Sequence, residues 1–300
     1  MWVRVLGSAA GGGFPQWNCA CPCCRAVRDG SRPARSRTQS SIAVSADGRR
    51  WFLVNASPDI RAQLESFPPL HPCSGPGGGR AVPLQAVLLT DAELDHTLGL
   101  LLLREGRGLE LHATEAVRDV LCHGTAVLRT LEAYCPVRWR PVTPGADVPL
   151  AGGLRYRAFD VPTTKRARFG PGSGPGRVVG YRVTDGRSGR TLVYLPSVQD
   201  LTAVRDQLDG CACLLVDGTC WRDDELIRLG LAGKTAREMG HLPIGGPDGS
   251  LALLAALPIG RIIYTHINNS NPILLEDAPE RRVLQQHGAE VAVDGLDLRM

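Results

Sequence analysis

A layered α/β fold is predicted for this 300-residue chain from three observations. Short apolar runs of strand length recur along it, helix starts fall between several of them, and no apolar run approaches the ~20 residues of a membrane helix. In order, strand-like runs occupy Val3-Leu6, Ser41-Val44, Trp51-Val54, Ala86-Leu89, Leu154-Phe159, Val178-Val183, Thr191-Leu195, Cys213-Val216, Ile262-Tyr264 and Glu290-Val293. Between them, Ser57 followed by Pro58 opens a helix from Asp59 to Phe67, Thr114 precedes one from Glu115 to Leu121, and Pro279 opens one from Glu280 to His287. Each start carries a capping residue or a first-turn proline, whose missing N–H costs nothing there. Thr97-Leu103 is also helical in pattern. Strands and helices interleave throughout without a repeat period, so one domain over residues 1–300 is the simplest organisation.

Composition narrows the function classes. With 43% hydrophobic and 21% charged residues the chain is an ordinary globular one, which excludes collagen, coiled coil and disorder. Thirty-four basic residues against 30 acidic ones give +4 without a basic run, so no nucleic-acid footprint is expected. Lys165 and Lys234 are the only lysines. Met1 to Leu6 leads into a Gly-rich stretch rather than an export signal, and a cytoplasmic protein without membrane insertion is expected. Two stretches are loops by composition: Pro68 to Val82, with Gly77-Gly78-Gly79, and the basic Gly/Pro-rich 163–177, a length typical of a lid, binding loop or flexible insertion.

Ten cysteines in a chain without an export signal, four of them bunched at Cys19, Cys21, Cys23 and Cys24, favour a metal over disulfides. Cys19-x-Cys21-x2-Cys24 supplies three thiolates of a closed tetrahedral zinc site, placing a structural zinc loop at 18–25. Cys23 is adjacent but awkward as a fourth ligand, and Cys73 is another candidate. Gly11-Gly12-Gly13 lacks the remainder of a phosphate loop, and Ser8 lacks a nucleophile-elbow context.

Three apolar runs end in a ligand-type residue: Asp91 after Val87-Thr90, Asp217 after Leu214-Val216, and His266 after Ile262-Thr265. Strand carboxyl ends open onto the binding crevice of α/β sheets, so these side chains can converge. The first continues as Asp91-Ala92-Glu93-Leu94-Asp95-His96, three carboxylates and an imidazole in six residues. Their mutual repulsion in a cleft calls for a cation. The plain alternative is that Asp91 caps the following helix while Glu93 and Asp95 favour its dipole. His241 is placed on the substrate side as an acid or base, Glu93 as a base or a solvated residue, and His112, His123 and His287 as structural.

The 91–96 segment resembles the His-x-His-x-Asp-His metal motif of the metallo-β-lactamase superfamily, with carboxylates at both leading His positions. Asp217 and His266 match its bridging Asp and final His, while Phe159-Thr163 lacks the His expected there. What remains is His96 and His266 with carboxylates from Asp91, Asp95 and Asp217, a set associated with non-haem Fe(II) and O2 chemistry, to which zinc also binds. Related phosphodiesterases imply the fourth structural-zinc ligand three residues after the final His, here Asn269. Val5-Cys19, Asn55-Arg61, Val216-Thr219 and His266-Leu274 together resemble the B-protein family of pyrroloquinoline quinone (PQQ) biosynthesis. That resemblance implies an αββα four-layer sandwich. It also implies iron- and O2-dependent hydroxylation of the tyrosine ring of a cross-linked Glu-Tyr intermediate made from a precursor peptide. Alternatives are a non-catalytic carrier of PQQ or its precursor toward the periplasm and a zinc-dependent hydrolase. Lys165, Arg166 and Arg168 are candidates to clamp the acidic, amino-acid-derived substrate, against a plain solvated loop. A homodimer is compatible with this reading.

Overall fold

The structure, a computed structural model, describes residues 1–72, 79–169 and 174–300. Cys73, the Gly77-Gly78 pair and residues 170–173 of the basic loop lie outside the described residues. The strands are β1 (Trp2–Gly7), β2 (Ser41–Ser45), β3 (Trp51–Val54), β4 (Leu84–Leu88), β5 (Leu109–Ala113), β6 (Val137–Pro141), β7 (Asp147–Pro149), β8 (Leu154–Asp160), β9 (Val179–Asp185), β10 (Thr191–Leu195), β11 (Cys213–Asp217), β12 (Ile262–Thr265), β13 (Ala289–Val291) and β14 (Asp297–Arg299). They form two sheets, ordered β14-β1-β2-β3-β4-β5-β6 and β13-β12-β11-β10-β9-β8-β7. Each sheet is antiparallel on one half and parallel on the other, the parallel halves being β3 to β6 and β10 to β13.

Side-chain alternation makes the layers. Ile42, Val44, Phe52, Val54 and Leu88 of the first sheet meet Tyr181, Leu192, Tyr194 and Leu215 of the second in a central core. Their neighbours Ala43, Trp51, Leu53 and Val87 point the other way, under Ile60, Val117 and Leu128 of the helices Ile60–Glu65, Glu115–Asp119 and Val127–Glu132. Val193, Leu195, Leu214 and Val216 likewise face Leu251, Leu254 and Leu284 of Ser250–Leu254 and Pro279–Gln286. Strands buried on both faces read as continuous apolar runs, which is why they stand out in the sequence. This is the αββα sandwich that the resemblance implies.

Two local expectations need correction. The Cys-rich segment 18–25 is not all loop: Pro22 starts the helix Pro22–Asp29, and Cys21 Sγ caps it by accepting from Cys24 N at 3.5 Å. The turn after β4 forms a short helix, Leu94–Thr97, and then a 3-10 stretch, Leu98–Leu103. Gly99 fixes that stretch tightly on the chain after β3; a Cβ there would fall 2.0 Å from the Ser57 carbonyl oxygen. No helix among the described residues is long and apolar enough to cross a membrane.

Candidate metal centre

The site lies where β4, β11 and β12 end. Asn55, at φ +66 just past β3, holds the turn beyond β4: its Oδ1 accepts from Thr90 N at 3.0 Å and its Nδ2 donates to Thr90 Oγ1 at 3.0 Å. Thr90 Oγ1 in turn donates to Asp91 Oδ2 at 2.8 Å. Both Asp91 oxygens accept from His96 Nδ1, at 2.9 and 2.8 Å. Tying Nδ1 fixes the ring and leaves Nε2 to act. That atom is buried and has no hydrogen-bond partner among the described residues. Asp91 thus lies behind His96, and its expected place among the ligand atoms is corrected: its oxygens are committed to Nδ1, to Thr90 and to Glu93 N at 2.9 Å.

Asp95 Oδ2 lies 3.9 Å from His96 Nε2 and 3.2 Å from His266 Nε2. Ligand-type atoms of Asp95, His96 and His266 all fall within 4.8 Å of one another. A second such group, Asp217, His241 and His266, shares the last residue. His241 Nδ1 donates to Asp217 Oδ2 at 2.6 Å, and Thr219 Oγ1 donates to Asp217 Oδ1 at 2.6 Å while lying 3.0 Å from His266 Nδ1. His266 itself is held at φ +54 immediately after β12.

Opposite charges hold one another ionised here. Burial pushes the carboxyls of Asp91, Asp95 and Asp217 up, but the facing imidazoles outweigh it, and all three end below the ordinary carboxylate range. Burial pushes His96 down, yet Asp91 and Asp95 raise it overall; His266, opposed by the same burial, is raised to about 10 by Asp217 and Asp95. A divalent cation replaces such imidazolium protons readily, because its charge offers the carboxylates the same compensation.

The other expected residues sort clearly. Glu93 is turned to the basic loop: its oxygens lie 2.7 Å from Lys165 Nζ and 3.7 Å from Arg168 Nε. It is paired there instead of facing the ligand atoms as a base. Lys165 and Arg168 line a cleft together with Asp91 and His241, whereas Arg166 is exposed and is not among the lining residues. Arg177, from the far end of the loop, lines the cleft too, although nothing in its sequence context sets it apart from the other arginines. Asp160, in the segment without the expected His, accepts from Gly176 N at 2.5 Å. His112 is a satisfied core residue, bonded to Tyr156 Oη at 2.9 Å and Glu110 at 3.0 Å.

The thiols of Cys19, Cys21 and Cys24 form a third group within 4.8 Å. Asn269 closes it, with Nδ2 donating to Cys19 Sγ at 3.1 Å and Cys24 Sγ at 3.4 Å. Cys23 turns away and donates to the Ser270 and Asn271 carbonyls at 3.6 and 3.7 Å. Burial pushes the Cys21 thiol up to about 12, so a thiolate there needs a cation. Replacing Asn55 by Ala removes two buried hydrogen bonds and leaves a Cβ at positive φ; a loss of about 2–3 kcal/mol is expected in denaturant unfolding, with Asn55→Gly costing less.

A family model described as a beta-lactamase superfamily domain matches residues 50–267. The chain is 47% identical to the coenzyme PQQ synthesis protein B of Methylococcus capsulatus over 99% of both chains. It is 46% identical to that of an Azoarcus species over 100% of both. The chain belongs to the coenzyme PQQ synthesis protein B family. The structure of Zn(2+)-bound PqqB from Methylobacterium extorquens, 40% identical, superposes over 100% of both chains with a TM-score of 0.91. The family expected from the four quoted segments is the family found, and its fold is the sandwich described above.

Proposed function

We propose that the chain acts in PQQ biosynthesis as a cytoplasmic, Fe(II)-dependent oxygenase that hydroxylates the tyrosine ring of the cross-linked Glu-Tyr intermediate derived from the precursor peptide. The observation that carries this reading is the group Asp95, His96 and His266, with His96 Nε2 buried and unpartnered among the described residues. One carboxylate and two imidazoles are the donors that hold non-haem Fe(II) while leaving positions open to substrate and O2. When bound, the iron supplies O2 activation. Zinc suits the same donors, in keeping with the zinc-bound relative.

The chain's own residues supply the rest. Asp91 fixes the His96 tautomer, and Asp217 engages His241 Nδ1. His241 lines the cleft, and its Nε2 takes the phenolic proton. Lys165 and Arg168 receive the substrate carboxylates by charge-assisted hydrogen bonds. One atom of O2 enters the ring and the other leaves as water, with two electrons from an external reductant. Cys19, Cys21 and Cys24 hold a structural zinc, with Asn269 as the fourth neighbour.

The test is anaerobic loading with Fe(II), then addition of the cross-linked diamino acid, a reductant and O2, with mass analysis. Gain of one oxygen atom per turnover is expected. An unchanged mass from iron-loaded protein that still binds the substrate replaces the oxygenase by the carrier, and O2-independent hydrolysis by zinc-loaded protein replaces it by the hydrolase.

A further inference from the structure

We propose that Glu93 is an internal occupant of the cleft's carboxylate subsite, paired with Lys165 until a carboxylate of the incoming substrate displaces it. This rests on the reading above only in taking the substrate to be a polycarboxylate. The cleft lining combines the cations of Lys165, Arg168 and Arg177 with the apolar Val117, Val120 and Phe169. Such a lining suits a ring that carries carboxylates.

Lys165 is held in place independently of Glu93. Gln199 Oε1 accepts from Thr164 N at 2.7 Å and from Thr163 Oγ1 at 3.1 Å, while its Nε2 donates to Thr164 Oγ1 at 2.7 Å and to the Arg237 carbonyl at 3.0 Å. Arg177 donates to the Lys165 carbonyl at 3.1 Å. The Lys165 stem lies on Gly240, where an added Cβ would meet its Cδ at 3.1 Å. The ammonium therefore stays at the cleft wall when its partner is exchanged, and its ordering cost is already met by these contacts. Glu93 is fixed from the other side, since its N–H donates to Asp91 Oδ1 at 2.9 Å. The pair is close, 2.7 Å, yet Lys165 is 25% and Glu93 34% exposed, so water and solutes reach it. An ion pair in such a setting is weak enough to be exchanged for another carboxylate.

Residue choice points the same way. Among 34 basic residues only Lys165 and Lys234 are lysines. At Lys165 the chain departs from its general use of arginine, and a lysine ammonium is a compact charge that swaps partners without the fixed two-pronged geometry of a guanidinium. Glu93 thereby selects for substrates with enough negative charge to compete with it, and keeps the cation neutralised otherwise.

The test is calorimetric binding to the full chain loaded with Zn(II), without O2, using a hydroxyisophthalate, a phenol bearing two carboxylates, and phenol itself. Glu93→Gln is expected to bind the dicarboxylate about two- to fivefold more tightly than the wild type, with phenol unchanged. Lys165→Met is expected to bind it more weakly, and the Glu93→Gln gain is expected to vanish when both changes are combined. Unchanged or weaker binding by Glu93→Gln, a gain that survives without Lys165, or no dicarboxylate binding by any variant overturns the proposal. Oxygen incorporation plays no part in this measurement, so the subsite and the oxygenase reading fail separately.

Discussion

Replacing His266 by Ala is expected to abolish cleft metal binding and turnover together. His266 belongs to both ligand groups, one with Asp95 and His96 and the other with Asp217 and His241. His96 already belongs to the first group and His241 to the second, so each group falls to two members when His266 is lost. Removal of a residue that merely orients a ligand costs about 10- to 100-fold in metal affinity, so loss of the ligand itself is expected to exceed 100-fold. Backbone strain is a separate matter: His266 sits at φ +54, where Ala keeps the strain and Gly relieves it. His266→Gly is therefore the paired variant, expected to lose metal equally while unfolding no earlier than His266→Ala. The same residues set the pH dependence. His266, raised to about 10, and His96, raised above the ordinary histidine range, hold protons that a cation must displace. Affinity is thus expected to fall as pH falls, by about tenfold per pH unit for each proton displaced. In metal titrations between pH 6 and 8, a flat profile, or metal retained by both His266 variants, would refute this assignment.

The sandwich was legible because its central strands are apolar on both faces, while three of the four edges, β6, β7 and β14, were not. β6 carries Arg138 and Arg140 on a half-exposed edge, and β7 and β14 span three residues each, so none forms an apolar run. β5 was hidden by Glu110 and His112, whose polarity is satisfied by each other and by Tyr156. Asp95, His96, Asp217 and His266, whose ligand-type atoms the fold brings together, are marked in the sequence because each comes at or after the end of an apolar run. His241 follows a short 3-10 turn and Gly240 at φ +91, 24 residues beyond Asp217, with no strand to announce its direction. Separating Asp91 from Asp95 was equally out of reach. One bonds the imidazole at Nδ1 and the other lies 3.9 Å from its Nε2, and the first is placed by the turn that Asn55 and Thr90 hold together.

Cys24→Ser is expected to lower the unfolding midpoint by roughly 10 °C and to remove one zinc per chain. The stability figure follows from a loss of several kcal/mol at about 2–4 °C per kcal/mol for a chain of this size. Cys24 is fully buried in the core beneath the second sheet, and its thiol shares a group with Cys19 and Cys21. Without the cation the Cys21 thiol, pushed up by burial, faces Cys19 and Cys24 with no positive charge to stabilise its thiolate. Cys23→Ser is the matched control. It removes an equally buried thiol one residue away, but that thiol only donates to the Ser270 and Asn271 carbonyls, a bond that a hydroxyl replaces. Its zinc content is expected to stay unchanged and its midpoint to move by a few degrees at most. The effect of Cys24→Ser should also reach the cleft. Asn269, which closes the thiol group, lies three residues after His266, and Asn271 pins the same turn by donating to the Gly218 carbonyl at 2.8 Å. Loosening that turn displaces His266, so Cys24→Ser is expected to weaken cleft metal binding without touching a cleft ligand. Equal zinc loss from the Cys23 and Cys24 variants, or a Cys24 variant that keeps both its zinc and its midpoint, would rule out the three-thiolate site.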